Sequence, residues 1–433
     1  MRYFTNLLTI AIAGFCCVST APVSAQGVDH PFYTVGKKIV DPCGNDFIPR
    51  GVNYSLVDDW DFPGNMNSGE LSSEIVKANP NTVRIEWYVN YPSGGRPAYA
   101  LSDLDSVITR FNRAGIVSMV ELHDLTGSDN FTSFNNTLLS WWTSPTVVAL
   151  LQKHKTHIML NFANEFGLVD WAANPATAYT DWVNHYKNAI TAVRNAGIDV
   201  PVVIDGPEYG TNLDRVLQAG STLVTHDPLN RVIMSVHAYW YQKTAADMNT
   251  VAIDIANAGF PIILGEVANV QDANGNCSDA IPAYTDLLQS CQTNSIGWLA
   301  WTWTNDNCGP RQVTPDGMYG NLSAYGGVIV NNASFGLASH ATKACFAKLN
   351  VASINDTKTI RVYPNPTQDA FTIESEADGM LYLYNIQGQV VVTSEVSKGR
   401  NEIQIAQLPA GIYSGKFAAK GSGELIAFRM VHE

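Results

Sequence analysis

Basic charge is scarce in this chain. Across 433 residues, 26 Lys and Arg stand against 39 Asp and Glu, giving a net charge of −13. There is no basic run and no basic stripe interleaved with aromatics, which argues against nucleic acid as a partner. The same charge would repel an anionic polysaccharide, so any carbohydrate ligand is expected to be neutral. Cysteine is sparse, no Cys-x-x-Cys occurs, and the spacing is not that of a zinc site. No Gly-x-Gly-x-x-Gly opens a helix, which weighs against a dinucleotide-binding open sheet. The apolar stretch at residues 7–18 is too short to span a bilayer, and no stable membrane span is expected.

What is present at the N-terminus reads as a signal peptide over residues 1–25. Arg2 supplies the charged start, residues 7–18 the apolar stretch, and Val23-Ser24-Ala25 the small-x-small cleavage pattern. Phe15 stands before Cys16 where a lipoprotein signal wants a small residue, which argues against lipid anchoring. The remaining chain keeps Cys43, Cys277, Cys291, Cys308 and Cys345. An exported protein with five cysteines accommodates one or two disulfides and a buried thiol. Cys43 with Cys345 would tie the ends of the main domain together, and Cys277 with either Cys291 or Cys308 would staple a loop.

A short lead-in hairpin around residues 30–50 is followed by eight apolar runs: 50–54, 82–87, 117–122, 157–161, 202–205, 233–237, 262–266 and 297–303. Between most of them lie amphipathic helical stretches such as 101–114 and 178–196, several closing on Gly115, Gly197 or Gly259. Continuous β-branched runs alternating with helices imply a parallel sheet covered on both faces. Eight such units over roughly 300 residues predict an α/β fold, a (β/α)8 TIM barrel occupying residues 26–350. Past a polar linker at 351–360 the texture changes to short alternating strands. Residues 361–433 predict a small all-β sandwich with no acidic pair or histidine cluster.

Two runs end on a carboxylate: NFANEFG on Glu165 and ILGEV on Glu266. A buried strand-end Glu is unfavourable unless it is paired or used, although taken singly it is often a plain salt-bridge partner. Polar residues fall at the carboxyl ends of the other runs too: Arg84, His123-Asp124, Asn164, His237, Tyr239 and Trp301. In a barrel that end carries the active site. Two carboxyl groups on the fourth and seventh runs suit a glycosidic cleavage with retention, one as acid/base and one as nucleophile. Arg84 and Tyr239 are the candidates to keep the nucleophile ionised, and the Asn164 amide can donate to a sugar 2-hydroxyl. His123 and His237 are rim donors, each also readable as an ordinary structural histidine. His123-Asp124 is half a metal site with no third ligand at sensible spacing, so no metal and no cofactor are expected. Trp301 and Trp303, with Trp60, Trp87 and Trp240, are candidate stacking platforms, and Trp298 is expected in the core.

Taken together, NTVRI, VELHDLTG, NFANEFG, SVHAYWY, ILGEV and GWLAWTW resemble, in order, the motifs of glycoside hydrolase family 5 over about residues 30–350. The resemblance implies a retaining hydrolase of β-linked glycans with Glu165 as acid/base and Glu266 as nucleophile. Arg84, His123, Asn164, His237, Tyr239 and Trp301 match supporting positions. ELHDLTG, the RNAGI segment, DPLNR and GWLAWTW are most similar to the bacterial β-1,4-mannanase branch. NEFG and the VANV after Glu266 depart from that branch's pattern and leave an endo-β-1,4-glucanase as the alternative. A non-catalytic glycan-binding barrel and a transglycosylase are weaker readings. The loops carry no large insertion, which favours internal cutting; 58–69 and 127–137 are expected cleft walls. The tail, with Tyr363-Pro364-Asn365-Pro366 and LPAGIYSGKF, resembles the C-terminal sorting domain read by the type IX secretion machinery. It implies a secreted or cell-surface protein.

Overall fold

The computed structural model describes residues 30–56, 70–89, 100–273, 277–346, 360–385, 389–420 and 425–432. The signal peptide, most of the linker, Trp60 and the 58–69 loop lie outside them. Two compact units are present, one spanning 28–347 and the other lying within 348–433.

The first unit is a closed barrel of eight parallel strands. They are β1 (Arg50–Ser55), β2 (Thr82–Trp87), β3 (Val117–Leu122), β4 (Ile158–Asn161), β5 (Val202–Asp205), β6 (Val232–Ala238), β7 (Ile262–Val267) and β8 (Trp298–Ala300). Each strand pairs with its neighbours in sequence, and β8 returns to β1. Every residue of the eight strands is buried, as a sheet covered by helices requires. The expected runs and the observed strands coincide except for the last. There the sheet ends at Ala300 rather than at Trp303.

The helices cover the barrel through apolar stripes. In Leu101–Arg113 the buried positions are Leu104, Val107, Ile108 and Phe111, the three- and four-residue spacing of one helix face. Pro175–Asn195 starts on Pro175, with the Asn174 side chain accepting from the Thr177 amide.

Inside the barrel the two ends differ. Val117, Met119, Met159, Val203, Ile233, Ile263 and Leu299 form an apolar layer toward the amino ends of the strands. Ile39 and Phe47 of a three-stranded lead-in sheet, with Phe32 just before its first strand, stopper it. The next inward residues along the same strands are polar, among them Glu121, Asn161, Asp205 and Ser235. This apolar floor carries stability and leaves chemistry to the opposite end.

Cys43 and Cys345 form a disulfide spanning 302 residues, and Cys277 pairs with Cys308, joining the loops after β7 and β8. Of the two partners open to Cys277 on sequence, Cys308 is the one used. Cys291 remains a buried thiol, and burial pushes it up to about 12.

The second unit holds two antiparallel sheets. One contains Arg361–Tyr363, Ala370–Ser375 and Gly399–Gln404; the other contains Val390–Val396, Gly379–Tyr384, Gly411–Ala419 and Leu425–His432. Phe371, Ile373, Leu381, Leu383, Tyr413 and Phe417 fill the core between them. The Asn365 side chain bonds both the Arg429 carbonyl and the Val431 amide, pinning the Tyr-Pro-Asn-Pro segment to the last strand.

Candidate active site

At the carboxyl ends of the strands, Arg84 is the hub. Its guanidinium is fully buried and donates to Asn161 Oδ1 (2.9 Å), Asn53 Oδ1 (3.0 Å), Asn164 Oδ1 (2.7 Å), Asp205 Oδ2 (3.1 Å) and Glu266 Oε1 (2.9 Å). Burial opposes its charge, but Glu121, Asp205 and Glu266 outweigh that and hold it above its ordinary value. Asp205 is correspondingly held below the usual carboxylate range. Its burial works the other way, and His237 and Arg84 overcome it.

Glu266 belongs to β7, and its inward direction depends on a local irregularity. Ile263 faces the barrel interior, Leu264 packs outward among the helix-facing residues, and Gly265 faces inward again. Strict alternation would therefore turn Glu266 outward. Both neighbours of β7 show a register shift at this point, and the extra residue re-aims Glu266 into the mouth. Gly265 permits this, because a Cβ there would stand 2.4 Å from Ser235 Oγ and 3.0 Å from the His237 ring. Glu266 Oε2 then accepts from the Tyr239 hydroxyl at 2.5 Å. Burial, then Glu266, pushes the Tyr239 phenol well above its usual range, so it remains a donor.

Glu165 follows β4 in a left-handed conformation, φ 49°. Such a φ is unfavourable for a residue with a Cβ and is found where function constrains the chain. Its amide donates to Asp205 Oδ2 (3.2 Å), and His237 Nδ1 lies 2.7 Å from its Oε1. Oxygens of Glu165 and Glu266 and a ring nitrogen of His237 all lie within 4.8 Å of one another. Burial raises the Glu165 carboxyl, and the Glu266 charge raises it further against the pull of His237. His237 itself is lifted to about 10, since Glu266 and Asp205 outweigh its desolvation.

His123 lies beside Glu121 (2.9 Å) and Glu86 (3.4 Å), which overcome burial and lift it to about 10. Its ring stacks with Trp301 at 6.2 Å and 23°. Asp124 turns away and accepts from the Val89 amide, so the adjacent His123-Asp124 pair is not a joint ligand set. Two triads of ligand-type residues exist among the described residues, Glu86–Glu121–His123 and Glu165–His237–Glu266. In each, the neighbouring carboxylates outweigh desolvation and raise the histidine to about 10.

Seven of the nine residues expected from sequence, Arg84, His123, Asn164, Glu165, His237, Tyr239 and Glu266, converge through these bonds. His123, Asn164, Glu165, Tyr239 and Glu266 line a cleft of about 240 Å³ with Trp301, Tyr209, Gln271 and Arg311, while Arg84 and His237 are buried and do not line it. Trp303 does not join. It is completely buried, its indole donates to the Gly317 carbonyl, and it packs in the core, so its expected substrate contact is corrected. Trp87 is likewise core, and Trp298 is core as expected.

Sequence reasoning passed over Asp205, Glu121 and Arg311. Asp205 closes an apolar run just as Glu266 does, so the same signal would have found it. Arg311 sits in the loop after β8, paired with Asp306 and 5.6 Å from the Tyr239 ring, with no motif to mark it. A larger hollow of about 460 Å³ lies at the opposite end, lined by the lead-in sheet and residues such as Ile263 and Gly297. It holds none of the convergent carboxylates.

Residues 40–307 match the family model for cellulase, glycosyl hydrolase family 5. The chain belongs to glycosyl hydrolase family 5. It is a glycoside hydrolase acting on O-glycosyl bonds. Residues 361–426 match the secretion system C-terminal sorting domain, which implies secretion or cell-surface localisation.

Among relatives, the chain is 25% identical over 351 residues to a mannan endo-1,4-beta-mannosidase of Cellvibrio japonicus, covering 79% of this chain and 75% of that protein. It is 26% identical over 309 residues to the enzyme of the same name from Streptomyces lividans, covering 70% and 74%. The barrel resembles the catalytic domain of a mannanase from Streptomyces sp. SirexAA-E. The TM-score is 0.62 at 22% identity, covering 78% of this chain and 98% of that structure.

Proposed function

We propose that this family 5 hydrolase is a secreted, retaining endo-β-1,4-mannanase that cuts neutral mannan by double displacement. The observation that carries the mechanism is the closeness of Glu165 and Glu266, with carboxylate oxygens within 4.8 Å. A retaining pair stands about 5–5.5 Å apart, whereas an inverting pair needs about 6.5–9.5 Å to admit a water. The mannan preference is supported by the relatives named above, whose identity with this chain is about one residue in four. A signal peptide over residues 1–25 and the sorting domain together would carry the enzyme outward.

In the first step the Glu266 carboxylate attacks the anomeric carbon while Glu165 gives its proton to the departing oxygen. His237 is a cation, so its Nδ1–H donates to Glu165 Oε1 and leaves the acidic proton on Oε2. Arg84 and Tyr239 hold one oxygen each of Glu266, fixing its plane for attack. Arg84 also takes the Asn164 carbonyl oxygen, so the amide NH2 of Asn164 is the side offered to a sugar hydroxyl. Trp301 provides the apolar floor for the sugar ring, steadied by its indole bond to Asp306 (2.7 Å). In the second step Glu165, now a base, activates water against the glycosyl ester.

Because the raised Glu165 carboxyl must be protonated for the first step, kcat/KM falls as pH rises through its pKa, which lies above the ordinary 4.5. In Glu165→Ala that alkaline limb disappears, and an aryl β-mannobioside with a good leaving group remains a slow substrate. Azide then restores turnover and yields the β-mannosyl azide, observable by NMR. An α-azide, or no rescue with full activity retained, contradicts the assigned role.

A further inference from the structure

We infer that Trp171 and Tyr209 form a binding platform for the leaving-group side of the polysaccharide, beyond the bond that is cut; this rests on the endo-glycanase reading. Trp171 is the most exposed large apolar side chain among the described residues at 65%, and Tyr209 is 46% exposed. Their rings lie 5.9 Å apart, inclined at 45°. Tyr209 lines the catalytic cleft itself. Trp171 lines an adjoining hollow of about 430 Å³, with Glu208, Thr211, Asn212, Trp240 and Lys243. Aromatic faces interleaved with hydrogen-bonding side chains suit a neutral sugar.

The backbone here is held in an unfavourable state. Glu208 and Tyr209 are consecutive non-glycine residues at φ 54°, followed by Gly210 at 72°. A left-handed residue with a Cβ is destabilising, and such strain persists only where the surroundings enforce it. The Glu208 carboxylate does the enforcing. It is buried and accepts from the amides of Val169 and Asp170 and from Asn212 Nδ2 (2.7 Å). One side chain thereby locks the loop after β4, which carries Trp171, to the turn after β5, which carries Tyr209. The Tyr209 ring also rests against Gly127, where a Cβ would come within 2.4 Å of it. Nothing in the proposed bond cleavage uses this construction, yet it ends in two presented rings.

Its position decides which side of the substrate it serves. Trp301 directly follows β8, the strand next to the nucleophile strand, and floors the sugar that becomes bonded to Glu266. Trp171 and Tyr209 hang from β4 and β5, beyond Glu165. The acid gives its proton to the departing oxygen, so the departing chain extends to that side.

The test compares wild type, Trp171→Ala and Glu208→Gln on mannohexaose and on an aryl β-mannobioside, whose leaving group carries no sugar. Trp171 is exposed, so its removal does not threaten folding. For Trp171→Ala the loss of kcat/KM on mannohexaose is expected to exceed the loss on the aryl substrate by about tenfold or more, a stacking contact's worth. Glu208→Gln keeps the side-chain shape but offers one acceptor oxygen instead of two, and shows the same selective loss. A purely structural role would lower both substrates equally. A wild type that cleaves both, with the ratio unchanged in Trp171→Ala, overturns the platform alone. A wild type that cleaves neither these substrates nor the corresponding cellohexaose and aryl β-cellobioside overturns the glycanase reading and the platform with it.

Discussion

Glu266→Ala is expected to lower kcat on mannan by at least about 10⁴-fold, with folding intact. Removing the nucleophile from a group of residues that act together abolishes nearly all of the covalent pathway, and losses of up to about 10⁶-fold are known for such units. The expectation rests on where Glu266 points. The β7 bulge delivers it into the mouth, Arg84 and Tyr239 hold its two oxygens, and Glu165 waits within 4.8 Å. The alanine variant retains every bond that fixes Asn164 and His123. Circular dichroism and thermal unfolding should therefore change little while turnover vanishes. Turnover within tenfold of wild type would remove Glu266 from the mechanism.

Arg84→Leu is expected to be the most destabilising single change in the site, by about 3–5 kcal/mol. That is a large part of the roughly 5–15 kcal/mol that keeps a domain folded. The guanidinium lies against Asp205, Glu266 and Glu121, all buried. Leucine leaves these carboxylates without their common cation, and unpaired buried charge is costly. The pH dependence identifies the cause. In the wild type the Asp205 pKa lies below its ordinary 3.8, so its contribution to stability is complete above that value and is lost only in stronger acid. In the variant His237 still opposes the desolvation of Asp205, but the pull of Arg84 on Asp205 and on the already raised Glu121 is gone, so both carboxyls titrate at higher pH than in the wild type and their ionisation costs more stability. The gap in Tm between wild type and variant therefore widens from pH 4 to pH 7. A gap that does not change with pH would mean that Arg84 contributes packing and little electrostatics.

Much of this was readable before any coordinates. Seven strands were legible because a parallel sheet covered on both faces demands unbroken apolar runs, and 82–87, 117–122 and 202–205 are such runs. The eighth was overextended because its apolar character continues past the sheet, through Trp301 and Trp303. Hydrophobicity marks burial, and Trp303 is buried, but against the Gly317 loop rather than at the cleft. Glu266 was found by its strand-end position, whereas its direction was not legible, since alternation alone would point it outward. The Glu208–Tyr209 turn was invisible because neither residue type favours a left-handed backbone. Only the three-dimensional partners of the Glu208 carboxylate explain why it forms.

The measurement that tests the account most directly is reducing-end release from galactomannan and from carboxymethyl cellulose in parallel, with Glu266→Ala as the blank. Release from galactomannan, absent in the blank and weak or absent on cellulose, is the predicted result. Release from cellulose alone would keep Glu165 and Glu266 in their roles and overturn the mannanase assignment. No release from either, or release that persists in Glu266→Ala, would contradict the account itself.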